Sequence, residues 1–212
     1  MTEIIFILDR SGSMEGLEKD TIGGFNSMMK KQASVPGDAL VSTLLFDNDV
    51  EVIHDRLNIK DVPEMTSKEY YVRGCTALLD AVGGAIKHIS MIHRYARKED
   101  VPEKTLFIIT TDGMENASRR YSYEDVRSMV EHQKSKHGWE FIFLGANIDA
   151  QAEASKYGID ESMSVNYNCD SKGMKISFKV MDDVVSSYRS TCEAPKEWRK
   201  RIDDDFNSRG KI

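Results

Sequence analysis

The sequence predicts an α/β fold in which a doubly wound, Rossmann-like and mostly parallel sheet is covered by helices on both faces. Strand-like and helix-like segments alternate along the 212 residues in the order β-α-β-β-α-β-α-β-α-β-α. Segments 4–8 and 106–111 are apolar, as central parallel strands usually are. An aspartate follows each of them directly, and folds of this class bind ligands at the carboxyl ends of their strands.

The first half of the chain is predicted to hold three strands and two helices. After the first strand, helical spacing of apolar residues predicts helices at 17–31 and 77–96. A strand is predicted at 39–46, and the Asp-Asn-Asp turn after it leads into a short strand at 50–53. Residues 55–72 are predicted to be loop, with room for one short helix.

The second half alternates in the same way. Its pattern predicts a strand at 106–111, a helix at 123–135, a strand at 140–144, a helix at 149–156, a weak edge strand at 162–167 and a helix at 171–191. We predict a single domain over residues 1–192. Residues 193–212 form a polar C-terminal tail, which we expect to be poorly ordered after Pro195.

Composition argues against several classes of protein. Hydrophobic residues make up 40% and charged residues 30%, which is typical of a globular domain. The net charge is -6 and no basic block stands out, so nucleic acid is not an expected partner. The three cysteines lack CxxC spacing, and we expect free thiols in a reducing compartment. Neither a signal peptide nor a membrane span of ~18 apolar residues is evident, so the sequence predicts a cytoplasmic protein without a membrane partner.

Three segments place oxygen-bearing side chains at the predicted carboxyl edge of the sheet. Asp9, Ser11 and Ser13 follow the first strand with a spacing of two. Thr76 precedes the second helix, and Asp112 follows the strand at 106–111. Together they offer two carboxylates and three hydroxyls, which suit a hard divalent cation such as Mg²⁺ or Mn²⁺.

Each segment alone has a simpler interpretation. Asp9 and Ser11 could cap the helix that follows them, Thr76 could cap the second helix, and the later Asp-Gly pair could be a turn. Asn147 and Asp149 follow another strand end and could border the site, although a helix cap is the simpler role for Asp149. Agreement among three separate strand-end segments favours the metal site.

The three segments resemble the metal-ion-dependent adhesion site of von Willebrand factor type A (VWA) domains, which combines DxSxS, a later Thr and an Asp after a buried strand. The flanking stretches GCTALLDAV and TTDGMEN are also similar to that family, and EFIFLGANIDA is similar to a bacterial and phage subgroup of small stand-alone cytosolic domains. The resemblance covers residues 3–190 and implies the VWA fold. It also implies that the hydroxyls coordinate the metal and that the two carboxylates hold metal-bound waters. The remaining position would accept an acidic side chain from a protein partner.

The predicted function is therefore a metal-dependent protein-binding module without catalytic activity. One alternative is a haloacid-dehalogenase-like phosphatase, a class that begins with DxDx(T/V) and uses its second Asp for acid–base catalysis. Ser11 occupies that position here, and a serine cannot transfer that proton near neutral pH. P-loop, GxSxG and HExxH motifs are absent from the sequence. The other alternative is an interaction scaffold that needs no metal.

Overall fold

A single mixed sheet of six strands organises the computed structural model, which describes residues 1–191 and 193–209. The strands are β1 Thr2–Asp9, β2 Ala39–Phe46, β3 Val50–Asn58, β4 Lys104–Thr111, β5 Glu140–Gly145 and β6 Ser164–Asn166. Their order is β3-β2-β1-β4-β5-β6, and all neighbours are parallel except the antiparallel pair of β2 and β3. The predicted doubly wound, mostly parallel sheet is confirmed.

Helices cover both faces of this sheet. They are α1 Glu18–Gln32, α2 Leu78–Tyr95, α3 Tyr123–His137, α4 Ala150–Lys156, α5 Ser171–Thr191 and α6 Lys200–Ser208. One core lies between the sheet and α1, α5 and α6, and a second lies between the sheet and α2, α3 and α4. Alternate side chains of β1 enter the two cores, which explains its continuous apolar sequence. Among the described residues, no helix is long and apolar enough to cross a membrane.

Strand β3 is longer than predicted, since it continues to Asn58 instead of ending at residue 53. Arg56 has a left-handed backbone with φ of 51°, and the pairing of β3 with β2 shifts register, which together mark a β-bulge. The Arg56 guanidinium reaches the fully buried carboxylate of Glu3, with 2.5 Å between Nε and Oε1. The sequence predicted a loop here because the stretch around Arg56 is charged, and its acidic partner Glu3 lies on β1, far away in the sequence. Residues 59–77 contain neither strand nor helix.

The C-terminal tail folds back as α6, whereas its polarity predicted poor order. Trp198 and Ile202 are buried in the core beside α5. Trp198 Nε1 donates to the Ser162 carbonyl at 3.0 Å, and Arg199 Nη1 donates to the Ser164 carbonyl at 3.0 Å. The second bond occupies a backbone carbonyl at the start of β6, the edge strand, and the first holds the segment just before it. A domain boundary at residue 192 stays a prediction, and Cys192 lies outside the described residues.

Candidate functional site

The strand order brings two of the predicted segments together. β1 and β4 are neighbours, and from them the chain winds towards β3 on one side and towards β6 on the other. Loops that leave two such strands diverge, and the crevice between them is the usual ligand site of this fold class. Asp9 closes β1 and Asp112 directly follows β4, so both carboxylates lie at this point.

Hydrogen bonds connect the four predicted residues on these two loops. Asp9 Oδ1 accepts from the Ser11 N–H at 2.7 Å, which folds the loop into a tight turn. The hydroxyls of Ser11 and Ser13 lie 3.2 Å apart, and Ser13 Oγ donates to Asp112 Oδ1 at 2.6 Å. Asp9 Oδ2 accepts from the Thr111 hydroxyl at 2.7 Å. Ser13 is exposed while Asp9, Ser11 and Asp112 are buried, so the group opens to solvent through Ser13.

Thr76 approaches the same point from a third loop. A Cβ placed on Gly113 would lie 3.5 Å from Thr76 Oγ1 and 3.8 Å from Ser13 Oγ, so both hydroxyls border one spot. The Gly12 N–H donates to the Gly74 carbonyl at 3.1 Å and ties the two loops together. Gly74 has φ of 68° and sits against the Asn48 side chain, where a Cβ would clash at 2.0 Å. A glycine is therefore required at position 74.

Helix capping does not explain Asp9, Ser11 or Thr76. Ser11 occupies the N-cap position of a short 3-10 helix, Gly12–Met14, but its side chain makes no capping bond. Helix α1 begins after Leu17 and α2 begins after Ala77, and neither N-cap residue makes a side-chain capping bond. Asp149, by contrast, accepts from the Ala152 N–H at 3.0 Å and caps α4, as its sequence position indicated. The three capping alternatives are thus removed for the residues of the site.

The site holds negative charge that no basic side chain of residues 1–191 and 193–209 offsets. Burial raises the pKa of Asp9 from 3.8 to about 6, with the nearby Asp112 charge adding to the shift. Burial likewise raises the pKa of Asp112. Within the described residues, the hydrogen-bond partners of both carboxylates are hydroxyls, one backbone N–H and the Cys169 thiol. A bound cation would supply the missing positive charge, so the donor set fits a hard metal ion.

No cluster of three or more His, Cys, Asp and Glu side chains suited to a metal occurs in residues 1–191 and 193–209. A cation at this point would therefore depend on two carboxylates supplemented by hydroxyls. This composition is the one that the sequence predicted. It suits Mg²⁺ or Mn²⁺ better than a metal that prefers nitrogen or sulfur ligands.

Arg10 is a residue whose role the sequence did not reveal. It lies between Asp9 and Ser11, yet its side chain is fully buried and turns away from them. Its Nε bonds Asp47 Oδ2 at 2.8 Å, and its Nη1 bonds Glu51 Oε2 at 2.7 Å. These acidic partners neutralise Arg10, so its charge is not available to the site carboxylates. The guanidinium instead anchors the site loop to the β2–β3 turn.

A second missed group supports Thr76. The Asn116 side chain accepts from the Thr76 N–H at 2.9 Å, and the Asn116 N–H donates to the Thr76 carbonyl at 3.0 Å. Glu115 accepts from the Leu79 N–H at 2.8 Å and so satisfies the start of α2. Asp80 accepts three backbone N–H bonds from residues 119–121 and has a structural role there. The sequence signal for this support was the MEN stretch directly after Asp-Gly.

Comparison with solved structures identifies the fold. The chain superposes on a von Willebrand factor type A protein from Catenulispora acidiphila with a TM-score of 0.59 and 16% identity, covering 88% of this chain and 42% of that one. This chain has the VWA fold. It also matches a D319A mutant of the PilB minor pilin from Streptococcus sanguinis, with a TM-score of 0.62 and 13% identity over 92% of this chain and 63% of that one.

A third VWA-fold match is proximal thread matrix protein 1 from the mussel byssus with a zinc-occupied MIDAS motif. Its TM-score is 0.56 at 18% identity, over 89% of this chain and 46% of that one. The chain thus spans between 42% and 63% of the length of these three structures. At such identities the likeness establishes the fold alone. No protein-family model and no curated protein matches the sequence.

Proposed function

We propose that this VWA-fold chain is a protein-interaction module that binds an acidic side chain of its partner through a divalent cation. The observation that carries the proposal is a strand-end site with two buried carboxylates and three hydroxyls, where no basic partner occurs among the described residues. The cation, Mg²⁺ or Mn²⁺, would be held by Ser11, Ser13 and Thr76, with Asp9 and Asp112 behind them. The presence of zinc in the MIDAS motif of the mussel protein supports metal binding at this position of the fold.

The choice of an acidic partner follows from the charge of the donors. Hydroxyls are neutral ligands, so a cation coordinated mainly by them keeps much of its positive charge. When bound, the ion would present that charge at the solvent-exposed end of the site, beside Ser13. A carboxylate is the hard anionic ligand that protein surfaces supply most readily. We therefore expect binding to depend on both the metal and one Asp or Glu of the partner.

Metal binding is tested by calorimetry and by thermal unfolding in Mg²⁺ or in chelator. Metal at ~100 times its dissociation constant should stabilise the wild type by about 2.7 kcal/mol, which raises Tm by roughly 5–10 °C. A Ser11→Ala and Ser13→Ala double variant should still fold, because both serines lie in the loop after β1. It should lose most of the metal-induced Tm shift, because both proposed hydroxyl ligands are removed. Ser155→Ala, on the exposed side of α4, is the matched control. Identical wild-type unfolding curves in metal and chelator, with no heat of binding, would contradict the proposal.

Partner binding is tested by affinity capture from host lysate in Mg²⁺ and in chelator, followed by acidic-residue scanning of the captured protein. Loss of one carboxylate, or of Ser11 and Ser13 here, should weaken binding by several kcal/mol, as at an interface hot spot. A partner retained equally in chelator would favour the metal-free scaffold. Turnover of an aryl phosphate that disappears in Asp9→Asn would favour the phosphatase alternative.

A further inference from the structure

A cleft of about 700 Å³ begins directly beside the candidate metal site. We call it the side cleft; Asn147, Gln151, Asn166, Asn168, Cys169 and Phe206 are among its lining residues. Two of them contact Asp112, because Asn147 Nδ2 lies 3.4 Å from its carbonyl and Cys169 Sγ lies 3.6 Å from its Oδ2. A ligand bound at the metal site can therefore continue into the side cleft.

Four of the ten residues that line the side cleft carry a side-chain amide, and three of these amides have unused hydrogen-bonding capacity. Asn166 Oδ1 accepts from the Ala150 N–H, which leaves its NH₂ group available. Asn168 Nδ2 donates to Asp205, which leaves its carbonyl oxygen available. The Gln151 side chain makes no hydrogen bond with any other described residue. Donors and acceptors of this neutral kind match the N–H and C=O groups of a peptide main chain.

The charges in the side cleft argue against a strongly charged ligand. No Lys or Arg is among its described lining residues, so an anionic group other than the metal-bound carboxylate has no partner there. Asp149 is engaged as the cap of α4, and Asp170 is paired with Arg209. A cationic side chain would therefore have to compete with Arg209 for Asp170, while Asp149 accepts one backbone N–H and forms no ion pair with a described residue. Ile148 and Phe206 add an apolar surface on which a peptide could pack.

Two unusual structural features, one in the backbone and one in a buried hydroxyl, occur together at the side cleft. Asn147 holds a left-handed backbone with φ of 56°, which is uncommon for residues other than glycine, although asparagine adopts it more readily than most. The Tyr167 hydroxyl is buried and has no hydrogen-bond partner within the described residues. Tyr167 is itself among the lining residues of the side cleft. Features of this kind are concentrated where a protein binds a ligand.

We propose that the side cleft binds the extended main chain of the partner on one side of the carboxylate that reaches the metal. This inference rests on the proposed function. It assigns the cleft to a stretch of peptide backbone, which the free amides recognise without regard to side-chain identity. Specificity for an acidic residue would come from the metal, and additional affinity would come from the main chain beside it.

The probes are three capped peptides, acetyl-Glu-amide, acetyl-Glu-Gly-Gly-Gly-amide and acetyl-Gly-Gly-Gly-Glu-amide, titrated into the wild-type protein in saturating Mg²⁺ by NMR. One of the two extended peptides should bind at least tenfold more tightly than acetyl-Glu-amide, and the other should show little gain. Tenfold corresponds to about 1.4 kcal/mol, which a few new main-chain hydrogen bonds can supply.

Gln151→Ala should reduce this gain to threefold or less, because it removes an unpaired amide from a helical position that alanine tolerates well. Asn147→Gly should reduce it as well while keeping the left-handed backbone. Ser155→Ala, one turn further along α4, is the control and should keep the full gain.

The affinities for Mg²⁺ and for acetyl-Glu-amide are measured for every variant. These measurements separate the proposed metal-dependent function from the side-cleft inference. If no peptide binds in Mg²⁺, the proposed function fails and this inference fails with it. If acetyl-Glu-amide binds but extension adds nothing on either side, only the side-cleft inference is overturned. It is also overturned if the gain persists in both Gln151→Ala and Asn147→Gly.

Discussion

Replacing Asp9 with asparagine should make the metal-free protein more stable while abolishing its response to metal. Asp9 is 1% exposed, and its pKa is about 6 in the folded chain against 3.8 for an ordinary aspartate. Above pH 6 the folded protein therefore carries a buried charge that the unfolded chain would keep in water. A pKa difference of this size corresponds to about 3 kcal/mol of lost stability at neutral pH.

Asparagine can keep the hydrogen bonds of this position without the charge. Its carbonyl oxygen can accept from the Ser11 N–H, as Asp9 Oδ1 does. Its NH₂ group can donate to the Thr111 hydroxyl, whose own hydrogen can turn to the Gly113 carbonyl 3.1 Å away. The contacts with Ser11 and Thr111 are thus kept, and the second hydrogen of the asparagine NH₂ group is the one without an assigned acceptor, so removing the charge should still give a net gain.

The sign of the pH dependence is set by the raised pKa. Below about pH 4 the Asp9 carboxyl is protonated in both states, so the Asp9→Asn variant and the wild type should have similar stability. Between pH 4 and 6 the unfolded chain loses this proton first, and the variant gains an advantage that levels off near 3 kcal/mol above pH 6. This difference in the free energy of unfolding should raise the Tm of the variant above that of the wild type by roughly 6–12 °C for a chain of this size.

Urea unfolding of both proteins in chelator at pH 4, 5, 6 and 7.5, repeated in excess Mg²⁺ at pH 7.5, measures both effects. In Mg²⁺ the wild type should recover about 2.7 kcal/mol at ~100 times the dissociation constant, and the variant should recover little. Thr111→Ser, which keeps the hydroxyl bonded to Asp9, controls for disturbance of the strand end. A pH-independent difference between variant and wild type, or equal stabilisation of both by Mg²⁺, would refute the charge-burial argument.

Two further predictions concern the thiols and the C-terminal helix. Denatured, non-reduced protein should titrate three free thiols. In the native state exposed Cys75 should react at least tenfold faster than Cys169, since burial and the Asp112 charge raise the pKa of the Cys169 thiol to about 12. A denatured count of one would reveal a disulfide. Trp198→Ala should destabilise the protein by about 3 kcal/mol in urea unfolding, through lost packing and the lost bond to Ser162. An unchanged urea midpoint would show that Trp198, in the turn before α6, contributes nothing to stability.

Most strands and helices could be predicted from the sequence, because the patterns that mark them lie within each segment. Continuous apolar runs marked β1 and β4, and helical spacing of apolar residues marked α1 and α2. The site residues could be proposed at the same stage, because each follows a strand end or precedes a helix and the carboxyl ends of parallel strands share one edge. The cytoplasmic location, the metal and the acidic partner remain predictions.

Several features became known only from the tertiary structure, because they depend on contacts between residues far apart in the sequence. The sequence could not show that Arg10 turns away to pair with Asp47, a contact that keeps its charge from Asp9 and Asp112. At the bulge of β3, Arg56 pairs with Glu3, which lies fifty-three positions earlier in the chain. α6 and the side cleft likewise arise only when the tail packs against the β6 edge, because a polar helix with two buried anchors has no strong periodic signal of its own. Pairings across such distances are fixed by packing and electrostatics in the folded chain, so they cannot be read from neighbouring residues.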